Sequence, residues 1–449
     1  MSTKIKDFTT GNIFSQLVIF SFPLFLSNLL QILYNMVDMI IVGHVLGKEG
    51  ISAVSVGGDI SHFMTFIAMG FSNAAQVIIA KYVGRNERDK LFKFVGTTAG
   101  FLFICALCIS ILSFIFKNQL LFIMNTPIES YNEALNYSVV SMLGLVFIYG
   151  YNVVSAILRG MGDSKHPFIF ISIAAILNVL LDLLFVINLE LGAKGAAIAT
   201  VLSQGLSFVL CLIYLNKNAK LYCLIGPISV FYKWDKYMLK ELIGLGVPMA
   251  IKTASIQISK LFVNSWINSY GIAVSAFSGI ANKISNISNL ISAALNTSGS
   301  TMVSQNIAAK NYNRVNKILV SLGLISISVA IGVSCIFVLF PREIIGIFTK
   351  EETVLAIGNK YIPIAILLFF GSAFRAIMNA LINGSGNNNI NFVTAILDGI
   401  VLRIGLAIIF GLLCNMKYYG FWLGDALAGF TPFFIGIVFY FSNKWKTYK

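Results

Sequence analysis

Charged residues are scarce in this sequence. Asp, Glu, Lys and Arg together make up 11% of its 449 residues, whereas hydrophobic residues make up 57%. A typical soluble domain has about 25% charged residues. This shortage excludes a soluble fold, because too few charges are available to cover a surface in contact with water. The surface is therefore expected to face lipid.

Residues that carry catalytic or metal-binding chemistry are also few. The three histidines, His44, His62 and His166, are scattered and form no His-Glu-x-x-His motif. No phosphate-binding P-loop occurs, so ATP hydrolysis is not expected to drive the protein. Five of the six cysteines lie in apolar segments and Cys223 lies in a loop, and all are interpreted as small hydrophobic residues. The sequence predicts neither an enzyme nor a cofactor, and no metal other than sodium.

Long apolar segments separate the short charged stretches. Each is close to the roughly 20 residues that a helix needs to cross the hydrocarbon core, whereas a β-barrel strand would alternate over roughly ten residues. The sequence therefore predicts an all-α polytopic membrane protein with twelve transmembrane helices. Their approximate spans are residues 14–42, 52–79, 94–116, 134–158, 167–187, 195–216, 241–267, 274–300, 318–340, 358–382, 391–413 and 418–442.

Positive charge is distributed unevenly between the connections. Lys and Arg number 32 against 18 Asp and Glu, and most of them fall on every second connection between the predicted helices. Such an excess marks the cytoplasmic loops of membrane proteins, which places both termini in the cytoplasm. The formal net charge of +14 is explained in this way, so no nucleic-acid partner is predicted.

The two halves of the sequence repeat one another at a nearly constant shift. Six helices per half is an even number, so both halves are expected to enter the membrane from the same side. Two such bundles joined by a linker suit alternating access and predict a transporter. The residues that match at this shift include Pro23 and Pro248, Gly195 and Gly420, and residues 159–163 and 383–387.

The repeat divides the chain into three parts. An N-terminal six-helix bundle is predicted over residues 1–216, a cytoplasmic linker over residues 217–240 and a C-terminal six-helix bundle over residues 241–449. The linker is rich in lysine, as expected of an inner loop. Its lysines are Lys217, Lys220, Lys233, Lys236 and Lys240.

Acidic residues inside the apolar segments are candidates for function. An ionisable group at a helix centre in the bilayer costs at least ~2.5–3.5 kcal/mol. Asp38 shares one face of the first predicted helix with Gln31 and Tyr34, because the three are spaced by three and four residues. Asn178 and Asp182 are likewise four residues apart on the fifth. The spacing predicts polar sites inside the membrane.

A family resemblance rests on these residues and on several short motifs. They are Pro23, Asp38, the Arg-Gly-x-Gly-Asp-Ser-Lys turn at 159–165, Asn178 with Asp182, and the Gly- and Ala-rich segment 192–200. In this combination the chain resembles the multidrug and toxic compound extrusion (MATE) transporters over essentially its whole length, and it looks closest to the prokaryotic DinF-like branch. The resemblance implies a multi-pass protein of a prokaryotic plasma or inner membrane.

The resemblance also implies an activity. The expected function is secondary active efflux of amphipathic small molecules, such as drugs, toxins or metabolites, by antiport with H⁺ or Na⁺. Two carboxylates with amide and hydroxyl oxygens suit sodium, and a carboxylate pair that takes up and releases a proton suits H⁺; the sequence leaves both open. The implied cation-coupling residues are Asp38, Asn178, Asp182 and Thr200, with Gln31, Tyr34 and Asn152 as supporting residues and Pro23 as the point where the first helix bends.

The second half differs in charge. No acidic residue follows Pro248 closely, so a cation site like that of the NorM-like branch is not expected there. In one interpretation Arg403 pairs with Asp398 or Asp425 as a structural contact. In the other, Lys252 or Arg375 faces a cavity and favours an anionic or zwitterionic substrate. The residues predicted for this second cavity are Lys252, Gln257, Arg375, Asp398, Arg403 and Asp425.

Two other functions compete with efflux. A flippase for lipid-linked or polysaccharide precursors belongs to the same superfamily and would suit the cationic second half. A membrane-embedded enzyme or a receptor is a remote alternative, because the sequence lacks catalytic motifs and a receptor does not need the duplication. The expected partners are a small amphipathic substrate and membrane lipid, and a monomer is expected.

Overall fold

The computed structural model of the protein describes residues 4–226, 231 and 234–447. The remaining linker positions, including Lys233, lie outside the described residues. The helices are α1 Ile13–Gly84, α2 Arg88–Ile115, α3 Lys117–Ile123, α4 Tyr131–Leu143, α5 Leu145–Gly160, α6 Lys165–Asp182, α7 Gly192–Lys217, α8 Lys236–Asn268, α9 Ile272–Ala308, α10 Tyr312–Leu339, α11 Pro341–Gly346, α12 Glu352–Gly384, α13 Asn388–Ile396, α14 Leu402–Ile408, α15 Lys417–Ala428 and α16 Thr431–Phe441.

Within the described residues, three π-helices and two short 3₁₀ turns accompany the α-helices. The described residues contain no β-strand, so the predicted all-α class is confirmed. The π-helices are Leu183–Asn188, Leu397–Val401 and Ile409–Leu413, and the 3₁₀ turns are Ile128–Ser130 and Lys444–Lys446.

Nine helices within the described ranges are long and apolar enough to cross a membrane, and the bent pair α4 and α5 makes a tenth span if counted as one. The predicted multi-pass architecture is therefore confirmed, while the count of twelve stays a prediction. That count requires α1 to cross twice and α9 to cross once. The 72 residues of α1 are long enough for two crossings, and the helix is interrupted at Gly47, where φ is +61°. Glycine suits this conformation because it has no Cβ.

The chain forms two compact units. The first consists mainly of Phe22–Val247, and the second of Phe8–Ser21 together with the chain from Pro248 onward. The helix α1 therefore contributes residues to both units, and so does α8. The division of the chain into two six-helix bundles joined by a linker over residues 217–240 stays a prediction.

Residues 8–21 are built into the core of the second unit. Phe8 and Leu17 are buried there in an apolar cluster with residues of α9, α10 and α12. The backbone N–H of Phe8 donates to Gln305 Oε1 at 2.9 Å, and Arg314 Nε donates to the carbonyl oxygen of Phe8 at 2.9 Å. Both backbone groups of Phe8 are thus satisfied inside that unit, which holds the segment in place.

The described part of the linker is attached to the first unit by a buried carboxylate. Asp163 accepts hydrogen bonds from the Tyr222 hydroxyl and from His166 Nδ1, both at 2.6 Å. Burial and the hydrogen bond to Asp163 raise the pKa of Tyr222, so its phenol stays protonated and keeps donating. Asp163 also accepts from the backbone N–H of His166 and so begins α6, as Asn387 does for α13.

The backbone itself repeats between the two units. The π-helix Leu183–Asn188 is followed by Glu190 with φ of +52°, and the π-helix Ile409–Leu413 is followed by Asn415 with the same φ. The separation of these elements is close to that of Pro23 and Pro248, so the duplication is visible in local geometry as well as in sequence.

A glycine packs against each of these two π-helices. A Cβ built on Gly420 would lie 2.3 Å from the backbone carbon and oxygen of Phe410, and one on Gly195 would lie 3.0 Å from the same atoms of Phe185. Backbone atoms cannot move aside as a flexible side chain can. Both positions therefore require glycine, and the requirement is stricter at Gly420.

Gly420→Ala is expected to lower the free energy of unfolding by about 1–3 kcal/mol, because the added methyl group overpacks the contact with Phe410. The midpoint of thermal unfolding in one detergent measures this. Gly405→Ala is the matched control, because Gly405 is helical and no atom lies within 4 Å of its Cβ position. Equal midpoints for the two variants would show that the close contact at Gly420 does not affect the free energy of unfolding.

Candidate functional site

The four predicted coupling residues lie together in the first unit. Asp38 is on α1, Asn178 and Asp182 are on α6, and Thr200 is on α7. Thr200 Oγ1 donates to Asp38 Oδ2 at 3.1 Å, and Asn178 Nδ2 donates to Thr200 Oγ1 at 3.4 Å. The π-helix after α6 and the turn that follows bring α7 back along α6. Residues distant in sequence thereby form one cluster.

The two carboxyl groups of this cluster are buried without a counter-charge. Asp38 is 1% exposed and Asp182 is 0% exposed. The two side chains interact directly with each other, and no Lys or Arg among the described residues forms a salt bridge with either. Isolated charges cost far more to bury than neutral or paired groups. The pair is therefore suited to share a proton or to bind a cation.

Several oxygens of the cluster have no donor. Throughout the described chain, no group donates a hydrogen bond to Asp38 Oδ1, to Asn178 Oδ1 or to either carboxylate oxygen of Asp182. Buried acceptors without a partner are uncommon in proteins and call for an explanation. Four carboxylate and amide oxygens are thus available for one small cation, and the carboxylate oxygens are equally available for a proton.

The supporting residues divide into those that reach the cluster and those that do not. Tyr34 is adjacent to Asp38 on α1, and its hydroxyl accepts from Gln204 Nε2 at 2.9 Å. Gln31 is partly buried but makes no hydrogen bond with the four coupling residues. Asn152 donates to the carbonyl oxygen of Ile148 on its own helix at 2.8 Å. Only Tyr34 is therefore brought to the cluster by a contact in this structure.

Two residues of the site were missed by sequence reasoning. Gln204 follows Thr200 by four residues, so the two share one face of a helix, as Asn178 and Asp182 do. The same four-residue spacing could therefore have identified Gln204. Tyr137 on α4 is buried within electrostatic range of Asp38 and Asp182. No periodic polar pattern singles it out in the sequence.

In the second unit, two aspartates and two arginines form one network. Arg403 NH2 lies 3.2 Å from Asp398 Oδ1, and Arg375 NH2 lies 3.3 Å from the same oxygen. The other end of Arg403, at NH1, forms a salt bridge with Asp425 Oδ1. Asp398 and Arg403 are almost completely buried, at 0% and 1% exposure. Arg403 thus pairs with both aspartates that the sequence offered as its alternatives.

The remaining predicted residues of the second half, Lys252 and Gln257, form no salt bridge with this network among the described residues, although Lys252 lies within electrostatic range of Asp398. Lys252 Nζ donates to Asn379 Oδ1 at 2.6 Å and forms no salt bridge with a described carboxylate. Gln257 is exposed and does not join the network. The structure therefore brings together Arg375, Asp398, Arg403 and Asp425, but not Gln257.

Pro23 lies within α1, and Ser27 Oγ donates to its carbonyl oxygen at 2.8 Å.

Comparison with known proteins gives the affiliation of the chain. The MatE family model matches it twice, over residues 23–184 and 248–409, and the two matches begin at the aligned prolines. The chain belongs to the MatE family. Among its relatives is the Bacillus subtilis protein described as "Probable multidrug resistance protein YpnP", which is 28% identical over 448 residues and is covered to 99%, as is this chain.

Solved structures of MatE transporters have the same fold. "Crystal structure of MATE in the bent conformation" superposes with a TM-score of 0.88 at 22% identity, over 99% of this chain and 97% of the other. A Pyrococcus furiosus protein superposes with a TM-score of 0.90 at 21% identity, over 98% and 97%. Its description reads "Reverse polarity of binding pocket suggests different function of a MOP superfamily transporter".

The family membership decides several of the predictions. The resemblance to MATE transporters is confirmed, and the chain is a multi-pass membrane protein of the multidrug efflux family. Its relatives are transporters, so the prediction that it is not an enzyme is confirmed as well.

Proposed function

We propose that this protein is an ion-coupled exporter of amphipathic small molecules, and that Asp38, Asn178, Asp182 and Thr200 form its coupling site. The observation that supports this most strongly is the buried carboxylate pair, whose oxygens include several without a hydrogen-bond donor. A buried charge in a membrane protein is maintained at a cost and marks an ion pathway. The coupling ion is H⁺ or Na⁺.

The chemistry of the donor set fits both ions. Sodium would be held by the carboxylate oxygens of Asp38 and Asp182 with the amide oxygen of Asn178, since hard cations prefer oxygen ligands. A proton would instead be shared by the two carboxyl groups, and these would titrate together as a pair. In both cases loading removes net negative charge from the cluster, and release restores it.

Coupling to efflux follows from the position of Asp38 on the same helix as Pro23. Proline lacks an N–H, so one hydrogen bond of the helix is missing and bending there is easier. Loading the site is proposed to permit this bend, which alters the substrate cavity and favours release to the outside. Pro23→Ala should then slow transport without removing the ion site.

The test uses inside-out membrane vesicles that contain the protein. A fluorescent organic cation is added, and either a proton gradient or a sodium gradient is imposed. Uptake under one gradient, and not under the other, would identify the coupling ion. The control vesicles contain no protein. If neither gradient drives uptake of any substrate by folded protein, ion-coupled export is refuted.

Flipping of a lipid-linked or polysaccharide precursor is the second candidate. The excess of positive charge in the second unit favours it, because such precursors carry phosphate groups: Lys252 and Lys260 lie within electrostatic range of a network whose two arginines and two aspartates cancel. The Pyrococcus furiosus protein with the same fold is described as having a pocket of reverse polarity. Translocation of a lipid-linked phosphate without any ion gradient would favour the flippase. In either role the protein is proposed to act as a monomer in contact with membrane lipid, with both termini in the cytoplasm.

A further inference from the structure

The second unit encloses a polar cavity beside the arginine network. Its lining combines the side chains of Lys260 and Asn264 on α8, Asn282 on α9, Tyr361 on α12 and Trp422 on α15. All of these residues belong to the same unit, so the cavity is a feature of that unit alone. Charged and amide groups thus share this lining with aromatic side chains, and a few convergent polar groups are what orients a small organic molecule in a binding site.

Positive charge around the cavity exceeds negative charge. The two aspartates, Asp398 and Asp425, are both held in salt bridges by Arg403, and Arg375 adds a second cation to Asp398. With the two lysines of α8, four cations thus lie within electrostatic range of only two carboxylates. Lys252 donates to the neutral amide of Asn379, and among the described residues Lys260 has neither a salt bridge nor a hydrogen bond.

Lys260 is the cation that faces the cavity. Its side chain lies in the lining, together with that of Asp425, whose carboxylate is beyond salt-bridge distance and already paired with Arg403. The amide oxygen of Asn264 accepts from Ser278 and Asn282, at 3.4 and 3.5 Å. Its amide nitrogen therefore remains as a donor beside the ammonium group.

Part of the cavity lining, formed by Tyr361 and Trp422, is aromatic. The ring of Trp422 lies 5.2 Å from that of Tyr361 and 5.3 Å from that of Phe277, in edge-to-face arrangements. Trp422 is 6% exposed and Phe277 is 0% exposed, so this wall is packed in place. Rings held in this way present a flat apolar surface at low entropic cost to a ligand that contacts them.

We propose that this cavity binds the anionic end of the transported molecule through the ammonium group of Lys260. The aromatic or apolar part of that molecule packs against Trp422. The substrate class is thus an amphipathic organic anion, carrying a carboxylate or a phosphate group. This rests on the proposed export function and adds the charge of the substrate to it. The positive charge of Lys252, two helical turns earlier on α8, acts in the same direction.

The test measures binding to the full-length protein in lipid nanodiscs by isothermal titration calorimetry. Three probes share one aromatic body and differ in charge: 1-naphthylacetate, neutral 1-naphthylacetamide and 1-naphthylmethylammonium. The unsubstituted protein should bind the acetate at least about tenfold more tightly than the acetamide, as a charge-assisted hydrogen bond implies. Lys260→Met should remove this preference, and Lys260→Arg should keep most of it.

Lys283→Met is the control, because Lys283 lies in the same unit but is exposed and outside the cavity lining. Its preference for the acetate should be unchanged. Equal affinity for acetate and acetamide, the absence of acetate binding, or an equal loss for both probes in Lys260→Met would overturn the anion site.

The two proposals fail in different ways. Without the anion site, ion-driven uptake of an organic cation can still be observed in vesicles. If the export proposal is wrong and the anion site is present, binding of 1-naphthylacetate still depends on Lys260. In that case neither gradient drives the uptake of 1-naphthylacetate or of any cation.

Discussion

Replacing Asp38 by Asn is expected to abolish gradient-driven efflux, reducing it to the rate of vesicles without the protein. The substitution removes one of two buried negative charges, so the cluster no longer changes its charge enough to bind and release an ion in each cycle. The amide oxygen of Asn can still accept from Thr200 Oγ1, which preserves the local contact. The loss is measured as uptake into inside-out vesicles of a compound that the unsubstituted protein transports, either the fluorescent organic cation or 1-naphthylacetate.

Asp59→Asn provides the matched control. Asp59 lies on the same helix as Asp38, but its side chain is exposed, and the residue takes no part in the coupling cluster. This variant should transport at the rate of the unsubstituted protein. A folded Asp38→Asn protein that retains full coupled transport would show that the carboxylate of Asp38 is not needed for coupling.

Arg403→Met is expected to produce the largest loss of stability, about 3–5 kcal/mol in the free energy of unfolding. Arg403 is 1% exposed and is shared by Asp398 and Asp425. Its removal leaves Asp425 without a salt bridge and the completely buried Asp398 with Arg375 alone. An uncompensated buried charge is costly because the low-dielectric interior solvates it poorly. Unfolding in detergent at increasing temperature, on purified protein, measures the change.

The exposed pair of Arg342 and Glu352 serves as the control for this prediction. Arg342 NH2 lies 2.8 Å from Glu352 Oε2, but the two side chains are 62% and 76% exposed. Arg342→Met should therefore cost no more than about 1 kcal/mol. Adding Asp425→Asn to Arg403→Met should recover part of the stability, because one stranded charge is then removed. If both arginine variants unfold at the same temperature, the buried network does not stabilise the fold.

The all-α class and the multi-pass character could be predicted because they follow from composition and from the length of apolar segments. The grouping of Asp38 with Asn178, Asp182 and Thr200 could not be obtained from spacing alone. Residues on three different helices share no period, so the prediction depended on the family resemblance. Within one helix, the four-residue spacing was sufficient to predict which side chains share a face.

The less predictable features are those set by packing between distant helices. The sequence offered Asp398 and Asp425 as alternative partners of Arg403, and the structure shows both, because a guanidinium group can donate from two ends at once. Tyr137 reaches the cluster because of how α4 packs against the other helices. The residues next to it in the sequence do not indicate this packing. Similarly, nothing in residues 8–21 indicates that they belong to the second unit.

The placement of Phe8–Ser21 in the second unit has a consequence for synthesis. The side chains that hold this segment, Gln305 and Arg314, are made some 300 residues after Phe8. Contacts between positions so far apart form late, since the whole intervening chain must first be in place. The second unit therefore cannot complete its core while the ribosome is still producing residues 22–247, and Phe8–Ser21 lacks these partners until they have been made.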